Sequence, residues 1–265
     1  MFPDLVLDKL YSHERMILNI IVSKKYDIIA DIGKTRVVGK NLFGETSREF
    51  DENISEMLIL ELKNRGFEGS IVTEEKIEIG KNEERIFIDP VDGSINAARG
   101  VPIYCLEIGY ATRSDFNALE FGLVWDIPRD EYYMGLRGRG CYKINARGRF
   151  SKIIARRWDY DDTVIEIGNT SGDITEKLRK MGTLRKFGSI AFSMVKLAEG
   201  NIDAVFDVSG KLKLTDIAGA LVILKESGVK YKVSIFDENI NPRVGIIAST
   251  DKSLFQELLS LATEL

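Results

Sequence analysis

The sequence predicts a layered α/β fold, with a mixed α+β first half and a second half in which strands and helices alternate. Three observations support this fold class. Amphipathic helix patterns open the chain, short strand patterns separated by turn residues follow, and strand and helix patterns alternate from about residue 150. A hydrophobic content of 44% in 265 residues suffices for a sizeable core. We therefore expect a single domain, 1–265, with subdomains at 1–148 and 149–265.

The first half is predicted to begin with helices at 4–30 and 51–65, where apolar residues recur at helical spacing. Between them, DIGKTRVVGKNLFGETSREFD combines three glycines with basic residues, which suits a mobile hairpin or lid and equally a solvated loop. Strands are then predicted at 69–73, 84–89, 104–113, 119–126, 131–136 and 140–144. Turn residues between the later strands are typical of an antiparallel meander. GLRGRG at 135–140 is interpreted as a hairpin turn, since no helix pattern follows it.

The second half alternates between the two patterns. Strands are predicted at 163–167, 203–207 and 243–248. Helices are predicted at 173–181, 189–200, 216–227 and 251–264. This alternation is typical of an α/β layer packed behind the first half.

Composition narrows the class of function. A formal charge of −4 and a pI of 5.4 argue against a nucleic acid or a membrane as the main partner. His13 is the only histidine, which disfavours histidine-activated nucleophiles and histidine-rich zinc sites. Cys105 and Cys141 are too few for a disulfide framework, so we expect buried thiols and leave a disulfide between them open. Acids near the N-terminus, and no run of 18 apolar residues, favour a cytoplasmic location.

The stretch IDPVDGS carries the sharpest functional signal. Asp89 ends an apolar strand pattern, and the proline after it cannot continue a ladder, so a turn is expected. In that turn the carboxylates of Asp89 and Asp92 and the Val91 carbonyl are close enough to face one point, as a hard cation such as Mg²⁺ requires. Gly93 and Ser94 would lead into a short helix whose free amides suit an anion such as phosphate. The alternative is ordinary turn chemistry.

Acidic residues in two further stretches have ordinary structural explanations when each stretch is taken alone. Glu74 and Glu75 close the strand predicted at 69–73, where paired acids are common on surfaces. Asp216 precedes a helix rich in small residues, where an aspartate is ordinarily a cap. Small residues at that helix start would also permit the close approach that a ligand-bearing helix end needs.

Taken together, these stretches resemble the inositol monophosphatase-like family of magnesium-dependent, lithium-sensitive phosphatases, which includes archaeal inositol monophosphatase/fructose-1,6-bisphosphatases. The hexapeptide DPVDGS and the helix start DIAG are the specific parts of the resemblance. It extends through most of the chain by way of TSREFDENISEMLI, GLRGRGCYKIN and RKFGSIAFSMVKLAEGNIDAVFDV. The resemblance implies a layered αβαβα sandwich of the sugar phosphatase type and favours a homodimer.

The resemblance also implies a set of site residues. The ligands of two or three Mg²⁺ ions would be Glu74, Asp89, the Val91 carbonyl, Asp92 and Asp216. Carboxylates gathered in this way would repel one another strongly unless cations neutralised them. The ions would lower the pKa of a bound water and make hydroxide available near neutral pH.

Around this water and the phosphate, the resemblance assigns further roles. Ser94 stands where the family usually has threonine, and its hydroxyl, with Glu74 and Asp51, would orient the attacking water. The amides of Gly93 and Ser94 would hold the phosphate, with Asp92 beside it. Contacts to the leaving group are implied for Gly188, Ser189 and Asp207.

Three positions depart from the family pattern. Asp207 replaces a usual glutamate, which shortens the reach and weakens the case for inositol. Thr215 stands where a tryptophan is common, and Ala97 where an aromatic residue is frequent. Arg185 and Lys186 are either a solvent-facing or subunit-contact pair, or the source of a cation for a second phosphate.

The function expected from these observations is hydrolysis of a sugar or polyol phosphate by metal-activated water. Inositol 1-phosphate and fructose 1,6-bisphosphate are both candidate substrates. The alternatives are a 3′-phosphoadenosine 5′-phosphate phosphatase and a non-catalytic protein that binds a phosphorylated ligand. The short chain disfavours the first alternative, and the retained carboxylates disfavour the second.

Overall fold

The computed structural model describes residues 7–156 and 162–263. Helices are found at α1 (Ser12–Ile32), α2 (Glu49–Asn64), α3 (Ser94–Ala98), α4 (Gly172–Met181), α5 (Ile190–Glu199), α6 (Ala218–Ser227) and α7 (Lys252–Thr263). Strands in the first half are β1 (Val37–Lys40), β2 (Thr46–Arg48), β3 (Ser70–Thr73), β4 (Ile77–Glu78), β5 (Arg85–Asp92), β6 (Cys105–Ala111), β7 (Leu119–Asp126), β8 (Glu131–Leu136), β9 (Gly140–Ile144) and β10 (Phe150–Ile153). Strands in the second half are β11 (Val164–Ile167), β12 (Thr183–Arg185), β13 (Ala204–Lys213), β14 (Lys230–Ile235) and β15 (Arg243–Ser249). Positions 4–6 and 264 of the predicted helices lie outside the described residues.

The larger sheet occupies the first half and has the strand order β10-β9-β8-β7-β6-β5-β3-β4. Strands β6 to β9 are antiparallel neighbours, which confirms the predicted meander. By contrast, β3 and β5 are parallel, so their carboxyl ends lie at the same edge of the sheet. The short outermost strands β4 and β10 were not predicted from the sequence, because two to four residues are too few for an alternating pattern to be recognised.

The smaller sheet has the order β12-β11-β13-β15-β14 and mixes parallel with antiparallel pairs. The prediction for β13 was too short, since the strand continues past 207 to Lys213. Its pairing with β15 is irregular between Asp207 and Leu212, and Gly210 there has φ +65°. This irregularity interrupts the alternation that identifies a strand in sequence.

Three apolar clusters show that the two sheets and the helices stack in five layers. One cluster joins α1 and α2 to the outer face of the larger sheet, through residues such as Ile21, Leu58 and Ile108. A second contains residues of α5 and α6 together with residues from both sheets. The third joins α4 and α7 to the far face of the smaller sheet. The order is therefore αβαβα, as the resemblance implied.

Helix α6 lies unusually close to the larger sheet because three strands present glycine beneath it. Gly109, Gly122 and Gly135 are cross-strand neighbours on β6, β7 and β8. A Cβ atom at Gly122 would lie 2.0 Å from the Gly219 carbonyl oxygen, and one at Gly109 would lie 2.5 Å from the Cβ of Ala218. The glycines therefore form a shallow groove that sets the position of α6.

A buried acid on β6 caps the N-terminus of this helix. Glu107 accepts hydrogen bonds from the backbone amides of Gly219 at 2.9 Å and Ala220 at 3.4 Å. These amides have no partner within the helix, and a carboxylate at a helix N-terminus is favourable. The sheet thus holds both the body and the first turn of α6. Within the described ranges, no helix combines the length and apolarity needed to cross a bilayer.

Candidate functional site

Three acids from separate parts of the chain meet at one edge of the larger sheet. Glu74 directly follows β3, Asp89 lies on β5, and Asp216 ends a 3-10 turn two residues before α6. One carboxylate oxygen from each acid lies within 4.8 Å of those from the other two. Convergence of Glu74 and Asp89 follows from the parallel pairing of β3 and β5, and the groove under α6 brings Asp216 to them.

The expected turn at Pro90 is a bulge, and the strand does not end there. Strand β5 continues to Asp92, and its pairing with β6 is irregular between Asp89 and Asp92. In a regular strand, residues three apart point to opposite faces, whereas both aspartates line the same cleft here. A proline is tolerated at such a bulge because no ladder donor is needed. The chain turns only at Gly93, where φ is +91°.

Neighbouring backbone and side-chain donors orient the aspartates. The Val91 amide donates to Asp89 Oδ1 at 3.0 Å. Asp216 Oδ2 accepts from the Lys213 amide at 2.9 Å, and Asp216 Oδ1 accepts from the Thr215 hydroxyl at 3.2 Å. Thr215, one of the departures from the family pattern, therefore touches a site carboxylate directly.

Asp92 connects β5 to the start of α5. Its Oδ2 accepts hydrogen bonds from the Ser189 hydroxyl and the Ala191 amide, both at 2.7 Å, and lies 3.8 Å from the Cys105 sulfur. Ser189 was expected to contact a leaving group, but it is buried and its hydroxyl is engaged by Asp92. These bonds leave Asp92 Oδ1 free of the hydrogen bonds that hold Oδ2.

The electrostatics of this cluster favour a bound cation. Burial, and then the negative charge of Glu74, raise the pKa of Asp89 and of Asp216 well above the ordinary aspartate value. Burial raises the pKa of Asp92 to about 6, although hydrogen bonds from Ser189 and Ala191 oppose this shift. Every donor in the cluster is an oxygen, so the residues present fit a hard divalent cation.

The turn after β5 brings the backbone close to its surroundings. A Cβ atom at Gly93 would lie 2.9 Å from the Ile103 carbonyl oxygen and 3.1 Å from the Ser189 Cβ, which explains the glycine independently of its φ. Gly93 and Ser94 both line the cleft beside Glu74. In the part of the chain that the structure describes, the Ser94 hydroxyl makes no hydrogen bond to Glu74 or Asp51.

Asp51 lies in an adjoining cleft that also reaches Glu74 and Ser94. It accepts a hydrogen bond from the Arg48 amide at 3.1 Å, which caps the start of α2. Burial raises the pKa of Asp51 to about 8, and the charges of Glu75 and Glu74 act in the same direction. Asp51 is therefore suited to hold a proton near neutral pH.

The cleft that contains most of the predicted site residues has a volume of about 230 Å³. Its lining consists of Glu45, Glu74, Asp89, Val91, Asp92, Gly93, Ser94, Glu166, Ile167, Gly168, Asn169, Lys186, Gly188, Ser189, Ile190, Asp207, Leu212, Lys213 and Asp216. The two clefts together therefore border every predicted site residue except Arg185.

Another part of the cleft wall is polar and is held by backbone hydrogen bonds. Asp207 Oδ2 accepts from the Asn169 amide at 3.1 Å, and Asp207 Oδ1 accepts from the Ser209 amide and hydroxyl. Lys186 lines this wall and donates to Asn169 Oδ1 at 3.3 Å. Arg185 is exposed and donates to the neighbouring Leu184 carbonyl, so of the basic pair only Lys186 borders the cleft.

A sequence model of the inositol monophosphatase family matches residues 21–265. The chain belongs to this family. This family is metal-dependent, in agreement with the cluster of Glu74, Asp89 and Asp216. Family membership and the five stacked layers lead to the same fold class.

Individual relatives extend this finding. The chain is 31% identical over 235 residues to a fructose-1,6-bisphosphatase/inositol-1-monophosphatase of Methanocaldococcus jannaschii, covering 86% of this chain and 89% of the relative. It is 29% identical over 200 residues to a bifunctional NADP phosphatase/NAD kinase of Methanococcus maripaludis, covering 65% of this chain and 35% of that protein. A crystal structure of an inositol monophosphatase-fructose 1,6-bisphosphatase superposes with a TM-score of 0.82 at 28% identity, covering 95% of this chain and all of the other.

Two cleft residues that the sequence analysis missed are Lys213 and Glu45. The Lys213 ammonium donates to Glu74 Oε1 at 2.6 Å and also to Glu45 on the loop between β1 and β2. Lys213 is 3% exposed, which is rare for a lysine unless it is paired. A lysine within the apolar alternation LKL was the only sequence signal, and it did not identify the partners.

Glu166 is a third cleft residue that was missed. It lies in β11, is 3% exposed and accepts a hydrogen bond from the Phe187 amide at 2.9 Å. Its Oε2 has no hydrogen-bond partner among the described residues. Burial raises the pKa of Glu166 to about 7. The signal available in the sequence was an acid in the middle of the strand pattern VIEI.

Proposed function

We propose that the protein is a magnesium-dependent phosphomonoesterase that hydrolyses a sugar or polyol phosphate, with inositol 1-phosphate and fructose 1,6-bisphosphate as the first candidate substrates. The observation that carries the proposal is the cluster of half-buried Glu74 with buried Asp89 and Asp216 beside the Gly93 turn. The chain's membership of the inositol monophosphatase family, and the activities named for its relatives, support the same reaction class.

Two or three Mg²⁺ ions would be held by Glu74, Asp89, the Val91 carbonyl, Asp92 and Asp216. When bound, the ions would neutralise charge on the phosphate and lower the pKa of a water molecule. The raised pKa values of Asp89 and Asp216 support this assignment, because buried acids of like charge are stabilised as carboxylates by a cation.

The chain's own residues would bind and orient the reactants. Backbone amides of Gly93 and Ser94 hold the phosphate, and Asp92, anchored by Ser189, lies beside it. The Ser94 hydroxyl orients the attacking water together with Glu74, and Asp51 holds a proton on the same side. Gly188 and Asp207 face the sugar or polyol hydroxyls across the cleft. Ser189 contributes to binding only through the hydrogen bond that its hydroxyl donates to Asp92.

A substrate panel measured with Mg²⁺ and then with excess EDTA tests this function. The panel contains inositol 1-phosphate, fructose 1,6-bisphosphate, 3′-phosphoadenosine 5′-phosphate and NADP, the last because part of the chain matches a bifunctional NADP phosphatase/NAD kinase. We expect release of inorganic phosphate from at least one of the first two, and loss of that release in EDTA. Removing the cation leaves the carboxylates mutually repulsive and the phosphate unscreened. Folded protein that releases phosphate from none of the four would favour the non-catalytic alternative.

A pair of neighbouring variants tests recognition of a second phosphate. Lys186→Ala removes the member of the basic pair that borders the cleft, and Arg185→Ala removes its neighbour outside the cleft. We expect Lys186→Ala to raise KM for fructose 1,6-bisphosphate by about tenfold, with a much smaller change for inositol 1-phosphate, because a charge-assisted contact is lost only for the bisphosphate. Steady-state kinetics on both substrates make the comparison. Equal effects on the two substrates would refute this role of Lys186, and Arg185→Ala is the matched control.

We further propose a homodimer and a cytoplasmic location. The family resemblance supports the dimer, and the acidic composition supports a small-molecule phosphate ester as the partner in place of nucleic acid or membrane. Neither proposal alters the chemistry of the cleft.

A further inference from the structure

The Lys213 ammonium lies inside the acidic cluster. It donates to Glu74 Oε1 at 2.6 Å and to Glu45, and it lies 4.0 Å from Asp216 Oδ1. The Phe43 ring packs against another side of the ammonium, with its centroid 5.1 Å from Nζ. Only 4% of the side chain is exposed. With the carboxylates of Glu74 and Asp216 this close, the side chain is held as a charged ammonium.

Lys213 also contacts the cluster through its backbone. Its amide donates to Asp216 Oδ2 at 2.9 Å while its ammonium donates to Glu74. One residue at the end of β13 therefore orients acids from two different elements. Through Glu45 it also connects the loop between β1 and β2 to the cluster.

The ammonium and a divalent cation would need the same oxygen atoms. Glu74 Oε1 is already hydrogen bonded to a unit positive charge, and a second cation on this carboxylate would be repelled by that charge. A flexible four-carbon stem lets a lysine move its ammonium without moving the backbone. The hydrogen bond from the Lys213 backbone amide to Asp216 would be kept during such a movement.

We propose that Lys213 is a positioning residue that occupies a cation position in the acidic cluster before metal binds, and that the incoming divalent cation displaces its ammonium from Glu74. Lys213 thereby stabilises the metal-free cluster and weakens the binding of the cation that replaces it. This inference rests on the proposed function, because it requires the carboxylates to be metal ligands.

The experiment compares the wild-type chain with Lys213→Met, Lys213→Gln and Lys213→Arg. Calorimetric titration with Mn²⁺ and with Mg²⁺ measures metal affinity, and thermal unfolding in EDTA and in saturating Mn²⁺ measures stability. We expect both neutral variants to bind Mn²⁺ about tenfold more tightly than wild type, because the competing charge is gone. Their midpoints should be lower than that of wild type in EDTA and should rise more on adding Mn²⁺. Lys213→Arg should stay near wild type.

The possible outcomes separate the two proposals. A wild-type chain that binds neither cation would contradict the proposed metal site itself. Wild-type binding with unchanged or weaker affinity in the folded neutral variants would overturn the role of Lys213 alone, since a purely structural ion pair has no reason to oppose metal. Lys213→Gln keeps a hydrogen-bond donor toward Glu74, so it still provides the comparison if Lys213→Met does not fold. Failure of both to fold even in Mn²⁺ would also overturn the proposal, which requires the cation to replace the ammonium.

Discussion

Asp92→Asn is expected to reduce metal-dependent phosphate release by at least about 10²-fold on every substrate that the wild-type chain hydrolyses. Asparagine is nearly the same size and can still accept from Ser189 and Ala191, so the connection to α5 is kept. What is lost is a negative charge among the proposed metal ligands. The decisive measurement is kcat at saturating Mg²⁺, with the far-UV circular dichroism spectrum recorded to check folding.

The control for this variant is Asp173→Asn, which removes an exposed carboxylate in the first turn of α4. It changes net charge by the same amount and should leave kcat within about twofold, because surface substitutions far from a site rarely matter. A folded Asp92→Asn protein with kcat near that of Asp173→Asn would show that Asp92 has no part in the reaction.

Gly122→Val is expected to destabilise the protein by about 1–3 kcal/mol or more and to reduce activity as well. The first added atom would lie 2.0 Å from the Gly219 carbonyl oxygen, so α6 must move away from the sheet. Such a movement weakens the hydrogen bonds that the first turn of α6 donates to Glu107, and it displaces Asp216, which lies two residues before that helix. Urea denaturation gives the free energy of unfolding, and kcat reports the displacement of Asp216.

The matched control is Gly172→Val, at an exposed position in the first turn of α4, where an added Cβ atom meets nothing within 4 Å. Valine has a slightly better helix propensity than glycine, so stability there should change by no more than a few tenths of a kcal/mol. If the two valine variants unfolded at similar urea concentrations, the close approach of α6 to β7 would not be important for stability.

Local sequence patterns were sufficient for the main elements, whereas the acids of the site were singled out only by their combined resemblance to the family. Strands β7, β8 and β9 were predicted with the bounds that the structure has, because short apolar-rich runs bounded by turn residues need no distant partner to be recognised. Glu74 directly follows β3 and Asp92 ends β5, whereas Asp89 lies within β5. The parallel order of β3 and β5 then brings strand ends together, as it does in many folds.

The residues that the sequence analysis missed depend on contacts across long stretches of chain. Glu107 caps a helix 112 residues away, and Lys213 pairs with Glu74 across 139 residues. A buried charge is tolerated only where a group of opposite charge or a hydrogen-bond partner lies beside it, and sequence spacing does not reveal that partner. The glycine groove likewise depends on register, since Gly109, Gly122 and Gly135 become neighbours only when β6, β7 and β8 pair.

For DPVDGS itself, the local chemistry predicted that two carboxylates face one point at a turn. In the structure the expected turn is a bulge in β5, and this bulge directs both carboxylates into the cleft. Backbone preferences of proline and glycine act within a few residues and can be read directly from the sequence. Whether a strand ends or bulges depends on the neighbouring strand, here β6, and is therefore determined only when the sheet forms.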